Sequence, residues 1–275
     1  MVGIIILNYN NSAQTLSCLE SLYRYCNGNN YRVCVVDNAS SKEELDKLTA
    51  SCREHIIVAD SNKGYACGNN IGCRYFDDDP SADKILVLND DTRFTEDIIT
   101  PMEAYLDSHP ECGVVFPFVA APDGSMDKAC ARMQKSKKDL FIQATCLGRF
   151  GLKRSEFIPE EAVKGKDRLV TQVPPGSCMM LPKRLFKEMG WLDPNTFLYF
   201  EEQILGSKLS KRNLQCVLLP GIRITHLGAA TTSKQASKAI YRHWRNSYIY
   251  YMKNYTDIPC PIRKWLEFRT GLKTF

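Results

Sequence analysis

The chain contains no Cys-x-x-Cys pair among its twelve cysteines. That excludes the ligand spacing of the common zinc ribbons and fingers. It also lacks a Gly-x4-Gly-Lys-Ser/Thr stretch, and no Gly-x-Gly-x-x-Gly follows its first apolar run. Neither a phosphate loop nor a dinucleotide fingerprint is therefore present. No stretch reaches roughly 18 uninterrupted apolar residues, so no spanning helix is expected. The opening run from Met1 to Leu7 is too short for a secretory leader and has no basic residue ahead of it. The expectation is a cytoplasmic protein, at most peripheral at the inner face of the membrane. Its thiols should stay free and pack as small hydrophobes.

What is present is the composition of a folded protein, 44% hydrophobic and 24% charged, which excludes wholesale disorder. A length of 275 residues suffices for one large core with a modest appendage. The net charge of +5 is unevenly distributed. Residues 234–275 hold nine Lys or Arg against Asp257 and Glu267, leaving 27 basic against 29 acidic elsewhere. Such a tail suits anionic lipid, a phosphorylated substrate or nucleic acid. Within it, Lys238, Arg242 and Arg245 interleave with Tyr241, Trp244 and Tyr248. This pattern reads either as an amphipathic helix packing its aromatics inward or as a docking face for a membrane or lipid pyrophosphate. No nucleic-acid motif accompanies it, and no nucleic-acid partner is expected.

Short apolar runs punctuate the first half: Gly3–Leu7, Arg32–Val36, Ile56–Ala59, Ile85–Leu88 and Val114–Val119. Runs apolar on both faces suit parallel strands covered by helices. Ala13, Leu16, Leu19, Leu22 and Tyr23 recur at helical spacing, and Ser41 with Glu44 has the form of a capping box. Thr95 or Pro101 opens a further helix that ends near Ser108. The alternation predicts an open, doubly wound, mostly parallel α/β sheet. Residues 123–172 show little periodicity. Beyond them the pattern predicts a strand at Ser177–Leu181, helices at Lys183–Met189 and Tyr199–Lys211, strands at Cys216–Leu219 and Ile222–Thr225, and a helix at Ala236–Tyr255.

Ligands of such sheets bind at the carboxyl ends of the strands. Those ends read Asn8-Tyr9-Asn10, Asp37-Asn38-Ala39-Ser40, Asn62-Lys63-Gly64 and Asn89-Asp90-Asp91-Thr92. One such ending is an ordinary turn or cap; four in succession favour a polar ligand. Gly64, Gly68 and Gly72 are spaced for close helix packing rather than for cradling phosphate. A diphosphate here would need another source of positive charge, and Asp90-Asp91 is a hard-oxygen site for a divalent cation.

These strand ends resemble glycosyltransferase family 2, and Asn62–Gly72 resembles its rhamnosyltransferase-like branch. Pro175–Lys183, Gly190-Trp191-Leu192-Asp193 and Phe197–Glu202 continue the resemblance, in order, over roughly residues 2–230. The resemblance implies a GT-A fold at 1–232, with a nucleotide-sugar-binding half at 1–120 and an acceptor half at 121–232. A basic, aromatic helical segment would follow at 233–275. It further implies an inverting, metal-dependent transfer from a nucleotide-diphosphate sugar (dTDP-rhamnose or a UDP-hexose) to a hydroxyl of a glycan or polyprenyl-linked acceptor in surface polysaccharide synthesis. Asn8, Asn10, Asp37, Asn62, Lys63, Asn89 and Asp90 would bind the donor. Asp91 and His226 would hold Mn²⁺ or Mg²⁺. Glu202, or its neighbour Glu201, would be the base; where many members read Glu-Asp-x-Asp, this chain reads Glu201-Glu202-Gln203-Ile204.

Two other readings compete. A nucleotide-sugar pyrophosphorylase would carry a Gly-rich basic loop where this chain has Asn8-Tyr9-Asn10-Asn11-Ser12. A non-catalytic relative that binds nucleotide or glycan is disfavoured by the intact Asp91, Glu202 and His226.

Overall fold

The computed structural model describes residues 1–28, 30–145, 151–152, 154–228 and 237–271. The first half alternates as the apolar runs require: β1 (Val2–Asn8), α1 (Ser12–Tyr25), β2 (Tyr31–Asp37), α2 (Lys42–Ser51), β3 (His55–Val58), α3 (Tyr65–Asp77) and β4 (Lys84–Asn89). All four strands are parallel, in the order β3-β2-β1-β4. The centres of β1, β2 and β4 are fully buried, whereas β3 exposes His55 and Val58 because it forms the sheet edge. The register pairs Asn8 with Asp37 and Leu7 with Asn89, so three strands end level with one another. The chain order reverses between β1 and β4, which opens a crevice at that end.

The capping box expected at α2 is half formed: Ser41 Oγ accepts from Glu44 N at 3.4 Å. The Glu44 carboxylate instead reaches Ser12 at the start of α1, accepting from its N–H at 3.1 Å and its hydroxyl at 2.7 Å. These bonds, the hydroxyl's above all, lower the Glu44 pKa to about 2. Helix α3 lies close on β1, as its glycine spacing predicts. A Cβ on Gly68 would stand 2.5 Å from Leu7 Cδ1, and one on Gly72 would stand 2.6 Å from Ile5 Cγ2.

The second half widens the sheet. It adds β5 (Thr92–Arg93), α4 (Ile99–Ser108), β6 (Cys112–Ala120), α5 (Lys137–Ala144), β7 (Leu169–Thr171), β8 (Cys178–Pro182), α6 (Lys183–Glu188), α7 (Glu201–Ser210), β9 (Gln215–His226), α8 (Ser237–Tyr255) and α9 (Cys260–Gly271). Strand β8 runs antiparallel between β4 and β6, and β9 lies parallel to β6 with β5 and β7 antiparallel to it. The two strands expected at 216–219 and 222–225 are one strand, β9. Its register against β6 slips between Leu219 and Arg223, where Pro220 has no N–H for the ladder and the extra residues bulge out. Helix α7 begins at Glu201 rather than Tyr199, because Tyr199 and Phe200 have φ of 74° and 73°, outside the helical region.

The aperiodic stretch 123–172 contains α5, capped reciprocally by Ser136 and Asp139, and the three-residue β7. Both are too short for hydrophobic periodicity to reveal. A main core fills both faces of the sheet, and a second cluster joins α5, α7, α8 and α9 through Leu140, Phe200, Ile204, Tyr248, Met252 and Leu266. Tyr248 is fully buried and Trp244 half-buried, so the α8 aromatics belong to this inward packing. The eleven cysteines among the described residues are unpaired, and most are buried. Burial pushes thiols such as Cys34 up to about 12, which makes them inert. No helix among the described residues is long and apolar enough to cross a membrane.

Candidate functional site

A cavity of about 330 Å³ opens at the level ends of β1, β2 and β4. Asn62, Asn89, Asp90, Asp91, Glu201, Glu202 and His226 line it together. Residues separated by as many as 164 positions thus meet at one place. Asn8, Asn10, Asp37 and Lys63 stand off its wall, with Lys63 on the exposed surface.

Behind the wall the strand ends are tied to each other. Asn8 and Asp37 are fully buried; Asn8 Nδ2 donates to Asp37 Oδ1 at 2.7 Å, and Thr15 Oγ donates to Asn8 Oδ1 at 2.8 Å. The other Asp37 oxygen accepts from Ser40 N at 2.9 Å. Asn10 bridges the same turn, its N–H donating to Ser40 Oγ at 2.8 Å and its Oδ1 accepting from Ser41 N at 2.7 Å. Asn38 joins the wall and donates to Asn62 Oδ1 at 3.0 Å, which also accepts from Gly64 N at 2.9 Å. Gly64 has φ of 92°, and a Cβ there would stand 2.1 Å from the carbonyl oxygen of Phe197, so only glycine lets this loop close against the second half. Tyr65 completes the clasp: its N–H donates to Phe197 O at 2.9 Å, and its hydroxyl donates to Gly176 O at 2.6 Å.

Beyond β4 the site is acidic. Asp90 accepts from Asn11 Nδ2 at 3.0 Å, while burial and the neighbouring Asp91 push its pKa up to about 7. Asp91 lies 3.3 Å from His226 Nε2, and on the far side of the ring Nδ1 lies 3.1 Å from Asp127. The Asp91 contact has the distance of an ion pair but not the alignment of a hydrogen bond, which leaves the buried Asp91 Oδ1 without a bonded donor. Burial opposes charge on His226, but the two carboxylates outweigh it and lift its pKa to about 10. The proton on His226 thus meets the negative charge of the cluster here. No group of three His, Cys, Asp or Glu that could hold a metal ion is found among the described residues. The unsatisfied carboxylate oxygen and the imidazole nitrogen are nevertheless ligand types for a divalent cation, whose charge would take the place of that proton. Asp127 would then be the outer partner that orients the ligating ring.

Across the cavity, the left-handed Tyr199 and Phe200 turn the chain so that Glu201 and Glu202 begin α7 at the cavity wall. Two consecutive non-glycine residues in this conformation are strained, and such strain persists only where surrounding packing enforces it. Phe200 packs in the second core against Tyr248 and Tyr251. The two carboxylates differ sharply. Glu201 is buried, its Oε1 lacks a hydrogen-bond partner, and burial together with Glu202 raises its pKa. Glu202 is partly open, with Arg132 Nη2 at 3.8 Å and Gly176 so close that a Cβ would stand 2.7 Å from Glu202 Oε1.

Residues 3–190 match the model of glycosyl transferase family 2. The chain belongs to that family. This family 2 glycosyltransferase is 27% identical over 253 residues to the low-salt glycan biosynthesis hexosyltransferase Agl10 of Haloferax volcanii, covering 90% of this chain and 74% of that one. It is 24% identical over 170 residues to the N-acetylglucosaminyl-diphospho-decaprenol L-rhamnosyltransferase of Mycobacterium tuberculosis, covering 61% of this chain and 54% of that enzyme. Among solved structures it is similar to GalNAc-T7 with UDP, GalNAc and Mn²⁺, with a TM-score of 0.64 and 15% identity over 98% of this chain and 54% of that one. The chain therefore spans about half the length of the last two proteins. The likeness shows the fold of the family 2 enzyme to be GT-A.

Asn11, Tyr65, Asp127 and Arg132 escaped the sequence reading. Asn11 adjoins a motif already singled out. Asp127 and Arg132 lie in the stretch without periodicity, and nothing local marks them.

Proposed function

We propose that this glycosyltransferase carries out an inverting, metal-dependent transfer of a hexosyl or rhamnosyl group. The donor would be a nucleotide-diphosphate sugar (dTDP-rhamnose or a UDP-hexose), and the acceptor a glycan or polyprenyl-linked hydroxyl in surface polysaccharide synthesis. The observation that carries the reading is the pairing across one cavity of an unsatisfied Asp91–His226 cluster with the partly open Glu202. Names of relatives support the two sugar classes and a diphospholipid acceptor. The donor half is 1–120, the acceptor half 121–232 and the helical segment 233–275, within which residues 234–275 make the peripheral contact with the inner face of the membrane.

In this reading Asn10 faces base and ribose over the turn that the buried Asp37 and Asn8 tie together, with Asn62, Lys63, Asn89 and Asp90 completing the donor site. Asp91 and His226 hold Mn²⁺ or Mg²⁺. When bound, the cation offsets the charge that develops on the leaving diphosphate. Glu202 accepts the proton of the acceptor hydroxyl as that oxygen attacks the anomeric carbon from the face opposite the diphosphate. Glu201 is buried and offers an incoming acceptor hydroxyl less access. Arg132 Nη2, 3.8 Å from the Glu202 carboxylate, holds it at the cavity wall.

The test is thermal denaturation with UDP-, dTDP- and GDP-sugars in Mn²⁺, Mg²⁺ or EDTA. One donor should stabilise the protein selectively, and EDTA should abolish the effect. If no nucleotide diphosphate moves the transition under any metal condition, the donor site is misassigned.

A further inference from the structure

Helix α9 is built the wrong way round for water. Leu266 is buried in the second core and Thr270 is buried one turn on, as an amphipathic helix requires. The other side should then be polar. Instead Ile262, Trp265 and Phe268, spaced to share one face, are 50%, 42% and 63% exposed. Phe141 of α5 extends the face: it is 38% exposed and stacks on Trp265 with ring centroids 5.3 Å apart. Four large apolar side chains, two of them stacked, thus form a surface that is exposed among the described residues. A contiguous patch of this kind marks an interaction surface, whereas single exposed apolar residues do not.

Its borders show what covers it. Lys264 is exposed one helical turn before Phe268, and the guanidinium of Arg269 lies 5.9 Å over the Trp265 ring. Lys138 is exposed on α5. The two acidic residues of α8, α9 and their connection are engaged elsewhere, Asp257 with Lys137 at 2.9 Å and Glu267 with Arg263 at 3.9 Å. Over 237–271 the balance is seven Lys or Arg to two acidic residues. Aromatic side chains beside long cationic ones match the boundary of a lipid leaflet, where rings enter the acyl region and the cations reach back to phosphate.

We infer that the α5–α9 face formed by Phe141, Ile262, Trp265 and Phe268 docks on an anionic membrane surface, with Lys264 and Arg269 at the headgroups. This deepens the reading of a membrane-borne acceptor and rests on it. It also moves the contact from α8, whose aromatics serve the core, to α9. The second core that seats Leu266 also seats Phe200 at the entry to Glu201 and Glu202. Docking by α9 would therefore fix the catalytic helix at a defined height above the lipid.

The test is flotation of the full chain, without donor, on vesicles of phosphatidylcholine alone or with about a third phosphatidylglycerol. The chain should float with the anionic vesicles, and brominated lipid should quench its tryptophan fluorescence. Ile262→Ser/Trp265→Ser/Phe268→Ser should bind on the order of tenfold more weakly. Lys264→Glu/Arg269→Glu should weaken binding at low salt more than at high salt. Both variants alter exposed or half-exposed side chains, and an unchanged melting transition confirms their folding. Three results overturn the proposal: no flotation of the wild type on anionic vesicles, equal flotation of the serine variant, or a dimer that the serine variant breaks without any vesicle binding. Donor stabilisation is read separately. A chain that floats but is stabilised by no nucleotide diphosphate removes the donor reading alone, and one stabilised by donor that does not float removes the surface alone.

Discussion

At the residue scale the site turns on how neighbouring carboxylates are made unequal. Glu201 and Glu202 are adjacent in sequence, yet one is buried and the other faces Arg132. Replacing Glu202 with Gln should retain donor stabilisation while lowering transfer by about 10²- to 10⁴-fold, the usual range for loss of a general base. Glu201→Gln is nearly isosteric with the protonated acid that burial favours and should lower transfer by less than about tenfold. The opposite ranking in steady-state kinetics would reassign the base to Glu201. Asp127 acts through His226. Asp127→Asn should weaken Mn²⁺-dependent donor stabilisation by about 10- to 100-fold, as loss of an outer-sphere carboxylate does, and should also lower the transition of the metal-free protein, where Asp127 holds the charged His226. A metal titration followed by melting temperature measures this directly.

At the element scale the helices are held by contacts that local sequence only partly announces. Ser41 and Glu44 read as the start of α2, but the Glu44 carboxylate caps α1 through Ser12. Its folded pKa, about 2, lies below the unfolded value near 4.3. A depressed carboxylate contributes stability that is complete above the unfolded pKa and is lost as pH falls toward the folded one. The wild type should therefore lose its advantage over Glu44→Gln between about pH 4.5 and pH 2, as denaturant midpoints across that range will show. Glu44 lies at the surface, half-buried and still screened by water, so the advantage is modest. If the two proteins keep a constant difference through this window, Glu44 does not cap α1.

At the scale of the whole molecule, the C-terminal helices support the catalytic end of the sheet. Tyr248 is fully buried, donates its hydroxyl to Leu140 O at 2.9 Å and packs against Phe200, one residue before Glu201. Tyr248→Ala should cost about 3–5 kcal/mol in denaturant unfolding, the range for removing a buried aromatic side chain. Transfer should fall further than donor binding, because the strained turn at Tyr199 and Phe200 loses its support. A variant that loses both in equal proportion would assign α8 a purely structural role.

The sequence by itself determined the parallel half of the sheet, because strands buried on both faces must be apolar throughout and their polar ends must fall at the ligand edge. Of the residues it singled out, Asn62, Asn89, Asp90, Asp91, Glu201, Glu202 and His226 reach one cavity, whereas Asn8, Asn10, Asp37 and Lys63 stand off its wall. The tertiary structure alone decided which of them stand where. Asn8 and Asp37 turned inward to tie strand ends, Asp127 came from an aperiodic stretch to hold His226, and the exposed apolar side chains of the basic tail fell on α9 rather than α8. The physical reason is the same in each case. Periodicity reports which residues leave water, but partners distant in the chain are chosen by packing, and packing sets the depth, charge and direction of each side chain.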